Sequence, residues 1–254
     1  MKQAVTIGLA QLPVVRGNIS ENLSNHLNLI ETAAKLGCDL LVFPELSLTG
    51  YELDLAESLA LALDSPHLNS LSEAATNNNI NVLIGAPLWQ DDHRKPTIGA
   101  VVCFSDGNRE FYSKQYLHDG EEHYCSSGDQ DYVFTLNGFN MAVAVCADFC
   151  ASEHSARAKA QGADLYLVSA LISEKGFSVD SELLSAIAER NKMPTLLCNH
   201  ISKTGGWQAN GHNSIWNAEG TMVFSSNSKD SGIVCCTITR HESYSDFVLE
   251  SYWS

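Results

Sequence analysis

At 254 residues the chain is long enough for one large domain or two small ones, and its composition, 44% hydrophobic and 18% charged, supplies a sizeable core. Lys and Arg number 15 against 30 Asp and Glu, so the net charge of −15 repels phosphate backbones. With no basic run to offset it, nucleic acid is excluded as a partner. No apolar run approaches the ~20 residues that cross a bilayer, and six Pro with 17 Gly exclude collagen-like and low-complexity chains.

Short apolar runs alternate with amphipathic stretches from end to end. Residues 4–12 (AVTIGLAQL) predict a first buried strand rather than a secretory signal, because Gln3, Thr6 and Gln11 interrupt the apolar stretch and Pro13 follows. Ile19, Leu23, Leu27, Ile30 and Ala34 then recur at helical spacing, capped by Asn18 or Ser20. Strands follow at 38–43 (CDLLVF), 81–87 (NVLIGAP), 99–104 (GAVVCF) and 111–114 (FYSK), with a helix near 67–79 between the first two. After a Gly/Ser-bearing loop at 118–130, residues 131–146 read as a hairpin turning at Asn137-Gly138. Helices at 152–161 and 178–191 flank a strand at 163–170, and a further strand covers 193–199. The tail holds two strand pairs, around NSIWNAEGTMVF and GIVCCTITR, the first turning at Glu219-Gly220. No repeat, charge run or Pro-rich linker divides residues 1–254, which read as a single α/β domain with mixed sheets.

Eight cysteines sit mostly inside apolar strand-like runs, where a reduced thiol behaves as a small hydrophobe. No CxxC pair occurs. The pattern points to a reducing, cytoplasmic setting.

Three residues stand where chemistry is built in layered α/β proteins, at the ends of apolar strands. Glu45 follows LLVFP, Lys114 ends REFYS, and Cys146 follows MAVAV. Each also has an ordinary reading: a loop carboxylate, a solvated lysine, one more buried cysteine. Together, and with no adjacent histidine base, they resemble the Glu-Lys-Cys triad of the nitrilase, or carbon–nitrogen hydrolase, superfamily. GCDLLVFPELSLTGY carries the glutamate motif, REFYSKQYLHDGEEHYCSSG the lysine motif and VAVCADFCASEHSARAKAQGADLYLVSA the cysteine motif. The opening VTIGLAQLPVVRGNISENL and the later AIAERNKMPTLLCNHI and NGHNSIWNAEG extend the likeness over nearly the whole chain.

The resemblance implies a four-layer α-β-β-α sandwich with two mixed β-sheets. Such units pair through their helices, so a homodimer or larger even homo-oligomer is expected. It implies Glu45 as general base, Lys114 as oxyanion-holding cation, Cys146 as nucleophile and Glu121 as a second glutamate supporting the lysine, with Glu122 the alternative. No metal and no organic cofactor is called for. His118 and His123 in HDGEEH are five apart, which suits no helical ligand face. Ala147-Asp148 after the cysteine is similar to the amidase-type branches, whereas nitrilases place Trp-Glu there. The expected substrate is a small amide or N-carbamoyl compound. No arginine follows the cysteine closely to grip a carboxylate, so dicarboxylate monoamides are disfavoured. Asp148, Glu153 and Glu174 are the candidate substrate-binding residues for a cationic group. Cys125 and Ser152 stand where the family commonly has Phe and often has Pro, and Cys150, four residues past the nucleophile, is unusual for it.

Two rivals remain. A Cys-His thiol peptidase would make His200, in CNHIS, essential and Lys114 dispensable. A catalytically silent, nitrilase-like binding scaffold would leave Cys146 no more reactive toward alkylation than its seven siblings.

Overall fold

The computed structural model describes residues 3–90, 94–240 and 245–253. Its strands form two large sheets because each run has two apolar faces to bury. In β2 (Leu40–Val42), Leu40 and Val42 face one layer while Leu41 and the following Phe43 face the other. The same period of two runs through β3 (Asn81–Leu88), β4 (Thr97–Cys103) and β7 (Phe139–Val145), and through β8 (Leu165–Ala170) and β9 (Thr195–Asn199).

Three apolar layers result. One lies between the sheets, holding Val5, Ile7, Leu83, Met141, Leu167 and Leu196. A second packs the first sheet against α1 (Ile19–Lys35) and α3 (Pro66–Asn77) through Ile30, Leu68 and Leu71. A third packs the other sheet against α4 (Ser152–Ala160) and α5 (Phe177–Asn191) through Ala158, Leu184 and Ile187. The molecule is thus the expected α-β-β-α sandwich. Each fully buried Leu or Ile contributes about 1.5–3 kcal/mol to holding it together.

The first sheet runs β15 (Ser245–Trp253), β14 (Gly232–Arg240), β1 (Gln3–Gln11), β2, β3, β4, β5 (Arg109–Ser113). The second runs β13 (Met222–Ser225), β12 (Ser214–Trp216), β9, β8, β7, β6 (Val133–Leu136). The central pairs β1–β2, β2–β3, β7–β8 and β8–β9 are parallel and the flanking pairs antiparallel. The tail strand β14 does more than pair with its neighbour β15. It also pairs along its whole length with β1, from Gln3↔Arg240 to Gln11↔Gly232.

Local signals behave as their chemistry requires. Asn18, not Ser20, caps α1 by accepting the Glu21 N–H at 3.2 Å. Asn137 and Gly138 both have positive φ, 49° and 78°, as a tight hairpin turn demands. Three small elements escape the sequence pattern: the short helix α2 (Ala56–Leu59) and the two-residue strands β10 (Lys203–Thr204) and β11 (Trp207–Gln208).

Where the central strands end, the sheets are stitched by polar side chains. Cys198 Sγ donates to the carbonyls of Ala10 and Val42, at 3.2 and 3.1 Å. Ser169 Oγ donates to the Phe43 carbonyl at 2.8 Å. Carbonyls that run out of ladder partners are thereby satisfied inside the core.

Candidate active site

Three corners meet at these strand ends. After β2 the chain turns sharply at Pro44–Leu46, and Leu46 takes a left-handed φ of 50°. The turn lies directly on Gly85 of β3, where an added Cβ would stand 2.3 Å from the Leu46 nitrogen and 2.6 Å from the Pro44 carbonyl oxygen. Glycine at 85 is therefore what admits the corner. His200 closes it from the other sheet, its Nε2–H donating to the Glu45 carbonyl at 2.6 Å.

The second corner follows β5. Lys114 N–H still bonds the Ile98 carbonyl, and its own carbonyl accepts from Gly128 N–H at 2.8 Å. The third is Cys146, whose φ of 45° is strained for a residue with a side chain. A single-turn helix, Cys146–Cys150, starts there.

The corners converge on one ion cluster with no exposed surface. Lys114 Nζ donates to Glu45 Oε1 at 2.8 Å and to Glu121 Oε1 at 2.7 Å, and all three side chains are 0–1% exposed. Glu121 also accepts from Tyr51 OH at 2.6 Å and from His118 N–H at 2.7 Å. Glu122 instead points to solvent and accepts from Gly120 N–H. Glu121 is thus the glutamate on the lysine, and its engagement removes the carboxylate at the centre of the HDGEEH segment from any metal role.

Burial is the first force on each titratable group. It pushes the Glu45 carboxyl up; Lys114 opposes and Glu121 reinforces that rise, while the nearby Cys146 thiol opposes it. It pulls Lys114 down, but Glu45, Cys146 and Glu121 together carry the ammonium above its ordinary value. It drives the Cys146 thiol well up, with Glu45 and Glu121 adding to the rise and Lys114 opposing it. A lysine beside the cysteine does act to lower the thiol, as its charge requires. Desolvation and two carboxylates outweigh it, so the resting thiol holds its proton. Among the described residues Glu45 Oε2 has no hydrogen-bond partner, which leaves one buried acceptor free in the cluster.

Cys146 opens onto a cavity of about 280 Å³, lined also by Tyr51, His118, Phe149, Leu171, Asp180 and Trp207. Its thiol lies 3.8 Å from the Leu171 carbonyl. An outer compartment of about 390 Å³ shares Tyr51, His118 and Trp207 with it.

The three carboxylates expected to bind substrate do not line this chamber. Asp148 is fully buried and occupied: it accepts from the N–H groups of Gln115, Tyr116 and Val145, each at 2.9 Å, and from Tyr112 OH at 2.6 Å. It therefore ties the lysine corner to the cysteine corner. Glu153 is exposed at the start of α4, and Glu174 is exposed beyond β8. The carboxylate that does line the chamber, Asp180, carried no signal of its own, since in sequence it is one more polar residue in a helix. His200 is committed to the Glu45 backbone, so the cysteine–histidine pair of a peptidase is not formed. Of the eight cysteines, all unpaired, Cys150 is the exposed one and Cys146 is half-buried.

A family model described as carbon-nitrogen hydrolase matches residues 6–245. Among curated proteins, 2-oxoglutaramate amidase of Bacillus subtilis is 26% identical over 243 residues, covering 94% of this chain and 92% of that protein. Glutamine-dependent NAD(+) synthetase of Acinetobacter baylyi is 31% identical over 152 residues, 56% of this chain. The match spans only 27% of that longer relative. Among solved structures, an amidase from Nesterenkonia sp. AN1 superposes with a TM-score of 0.82 at 23% identity, covering 91% of this chain and 89% of that one. That structure carries the acetamide moiety of fluoroacetamide covalently added at its active-site cysteine, and a mutant of the same amidase is complexed with butyramide. With the family model spanning all three corners and both sheets, the chain belongs to the carbon-nitrogen hydrolase family.

Proposed function

We propose that the protein hydrolyses the C–N bond of a small, non-peptide amide or N-carbamoyl compound through a thioester on Cys146. The observation that carries this reading is the free Glu45 Oε2 in the ion cluster beside the thiol that opens onto the cavity.

The electrostatics suit a concerted first step. Burial holds the Cys146 proton on sulfur, and burial likewise raises the proton affinity of Glu45. Sulfur attacks the amide carbon as its proton passes to Glu45, so no free thiolate or uncompensated buried charge need accumulate. The carbonyl oxygen becomes an oxyanion. A lysine ammonium has three N–H donors; Glu45 and Glu121 take two from Lys114, leaving the third for that oxygen, together with the backbone N–H of Ala147. Collapse of the tetrahedral species breaks the C–N bond, and Glu45 returns its proton to the departing ammonia or amine. Water, deprotonated by the same carboxylate, then hydrolyses the thioester. Glu121, held by Tyr51 and His118, keeps the lysine charged and in place.

A solved amidase of the same fold is modified by fluoroacetamide at its active-site cysteine and has been complexed with butyramide, and a relative aligned over 92% of its length is an amidase, which supports amide over nitrile chemistry. The test is intact-mass spectrometry of wild type and Cys146→Ser after exposure to butyramide, glutaramate and N-carbamoyl amines, with ammonia followed in parallel. An acyl adduct on wild type alone, with ammonia released, is expected. Equal turnover by Cys146→Ser rejects the assignment.

A further inference from the structure

The chamber beside Cys146 has a charge pattern with a chemical meaning. Among the described residues, Asp180, in the first turn of α5, is the one carboxylate that lines it, and no Lys or Arg does. The carboxylate is half-buried and takes no hydrogen bond or ion pair from the described residues. The side chain in the chamber that acts against burial on this carboxylate is His118. The other buried carboxylates of the site are engaged, Glu121 by Lys114, Tyr51 and His118 N–H, Asp148 by four donors, and Glu45 by Lys114 through Oε1, its free Oε2 belonging to the ion cluster. Among the described residues that line the chamber, Asp180 is the carboxylate left facing the space a substrate must fill.

Much of the remaining wall, including Phe149, Leu171 and Ile172, is apolar, with Tyr51 and Ser173 as neutral polar side chains, so a cation placed there finds no second carboxylate on the described walls. At the mouth stands Trp207, 51% exposed, shared with an outer compartment that carries Asp119 and, both paired with Arg16, Glu52 and Asp54. An indole face and an excess of carboxylates over the one arginine favour the passage of a cation and oppose that of an anion.

We infer that Asp180 is the specificity-determining residue of this site, selecting small amides whose far end carries an ammonium or guanidinium group. The inference rests on the amide-hydrolase reading above and narrows it. Among the described residues, a substrate ending in a carboxylate meets no Lys or Arg lining either compartment, only His118 in both and His123 in the outer one, and is repelled by Asp180. The cavity of about 280 Å³ limits the class to compounds with a short chain between amide and cation. Burial raises the Asp180 carboxyl and His118 opposes that rise. A docked cation acts in the same lowering direction and supplies the partner the carboxylate lacks.

The experiment compares 4-aminobutanamide and 5-aminopentanamide with their neutral isosteres pentanamide and hexanamide, and with glutaramate. Two readouts are taken: kcat/KM from ammonia release by the active protein, and calorimetric binding to Cys146→Ala, which needs no turnover. The cationic amides are expected to exceed their isosteres by on the order of tenfold in both. Asp180→Asn should erase that ratio, the loss falling on the cationic amides in both readouts. Equal or reversed preference overturns the inference, as does an Asp180→Asn variant that weakens all substrates alike. Preferential, Asp180-dependent binding without turnover of any amide would leave the selectivity standing and refute the hydrolase reading instead.

Discussion

Replacing Gly85 by alanine tests whether the glutamate corner is held by backbone contact with β3. The added Cβ would meet the Leu46 nitrogen at 2.3 Å, the Pro44 oxygen at 2.6 Å and the Glu45 carbonyl carbon at 2.9 Å, all main-chain atoms. Ordinary contact begins near 3.4 Å, so the corner must retreat by about 1 Å or β3 must leave its register between β2 and β4. Overpacking of this kind costs about 1–3 kcal/mol, a fall in Tm of roughly 2–12 °C for a domain of this size. Activity suffers more. A 1 Å displacement lengthens the 2.8 Å Glu45–Lys114 contact and carries Oε2 away from the thiol, which lowers kcat/KM by on the order of 100-fold. Gly8→Ala is the control: its Cβ would meet only side-chain ends, from 3.0 Å outward, on β1. It should lose stability and keep activity. The assay is kcat/KM for a neutral amide beside a thermal melt. A Gly85→Ala protein with wild-type kcat/KM would refute the reasoning, because the corner would then tolerate the displacement or Glu45 would not be the base.

Three further outcomes follow from the cluster and the buried histidines. Glu121→Gln removes a like charge that raises both Glu45 and Cys146; the acidic limb of kcat/KM, which reports Glu45 losing its proton, should move to lower pH as the rate falls. A limb that stays or rises contradicts this. Lys114→Met strands two carboxylates in the interior and should destabilise the protein by about 3–5 kcal/mol at neutral pH. Their folded-state affinity for protons then exceeds the unfolded one, so the deficit should shrink as pH falls; urea unfolding at several pH values reads it, and wild-type stability at pH 8 would reject it. His26 and His200 are held down to about 4 by burial, against an ordinary 6.5. The unfolded chain gains protons first, so each takes away about 3 kcal/mol as pH drops through 6.5 toward 4. The stability difference between wild type and His26→Gln should therefore change over that window, whereas a flat difference would show that His26 is not buried neutral.

The three catalytic candidates were legible because each follows an apolar run long enough to mark a buried strand, and such ends are where functional side chains project. Glu121 was legible only through the resemblance. Choosing it over Glu122 took the geometry of the Gly120 turn, which sends one carboxylate inward to Lys114 and its neighbour to solvent. Where Asp148 lies was hidden for a related reason. Asp148 lies two residues past the nucleophile, but the single-turn helix folds it back onto four donors of the lysine and cysteine corners.

Local pattern by itself determined the alternation of strands and helices, the hairpin at Asn137-Gly138, a cap at Asn18 or Ser20 and the double-sided burial that makes two covered sheets. These follow from side-chain period and turn chemistry within a dozen residues. Only the tertiary structure decided that β14 lies beside β1, that His200 clamps Glu45 from the opposite sheet, that Gly85 admits the corner and that Asp180 faces the chamber. Each of these joins residues more than thirty positions apart. Their meeting depends on how the layers close and on which groups are desolvated when they do, and no local period encodes that.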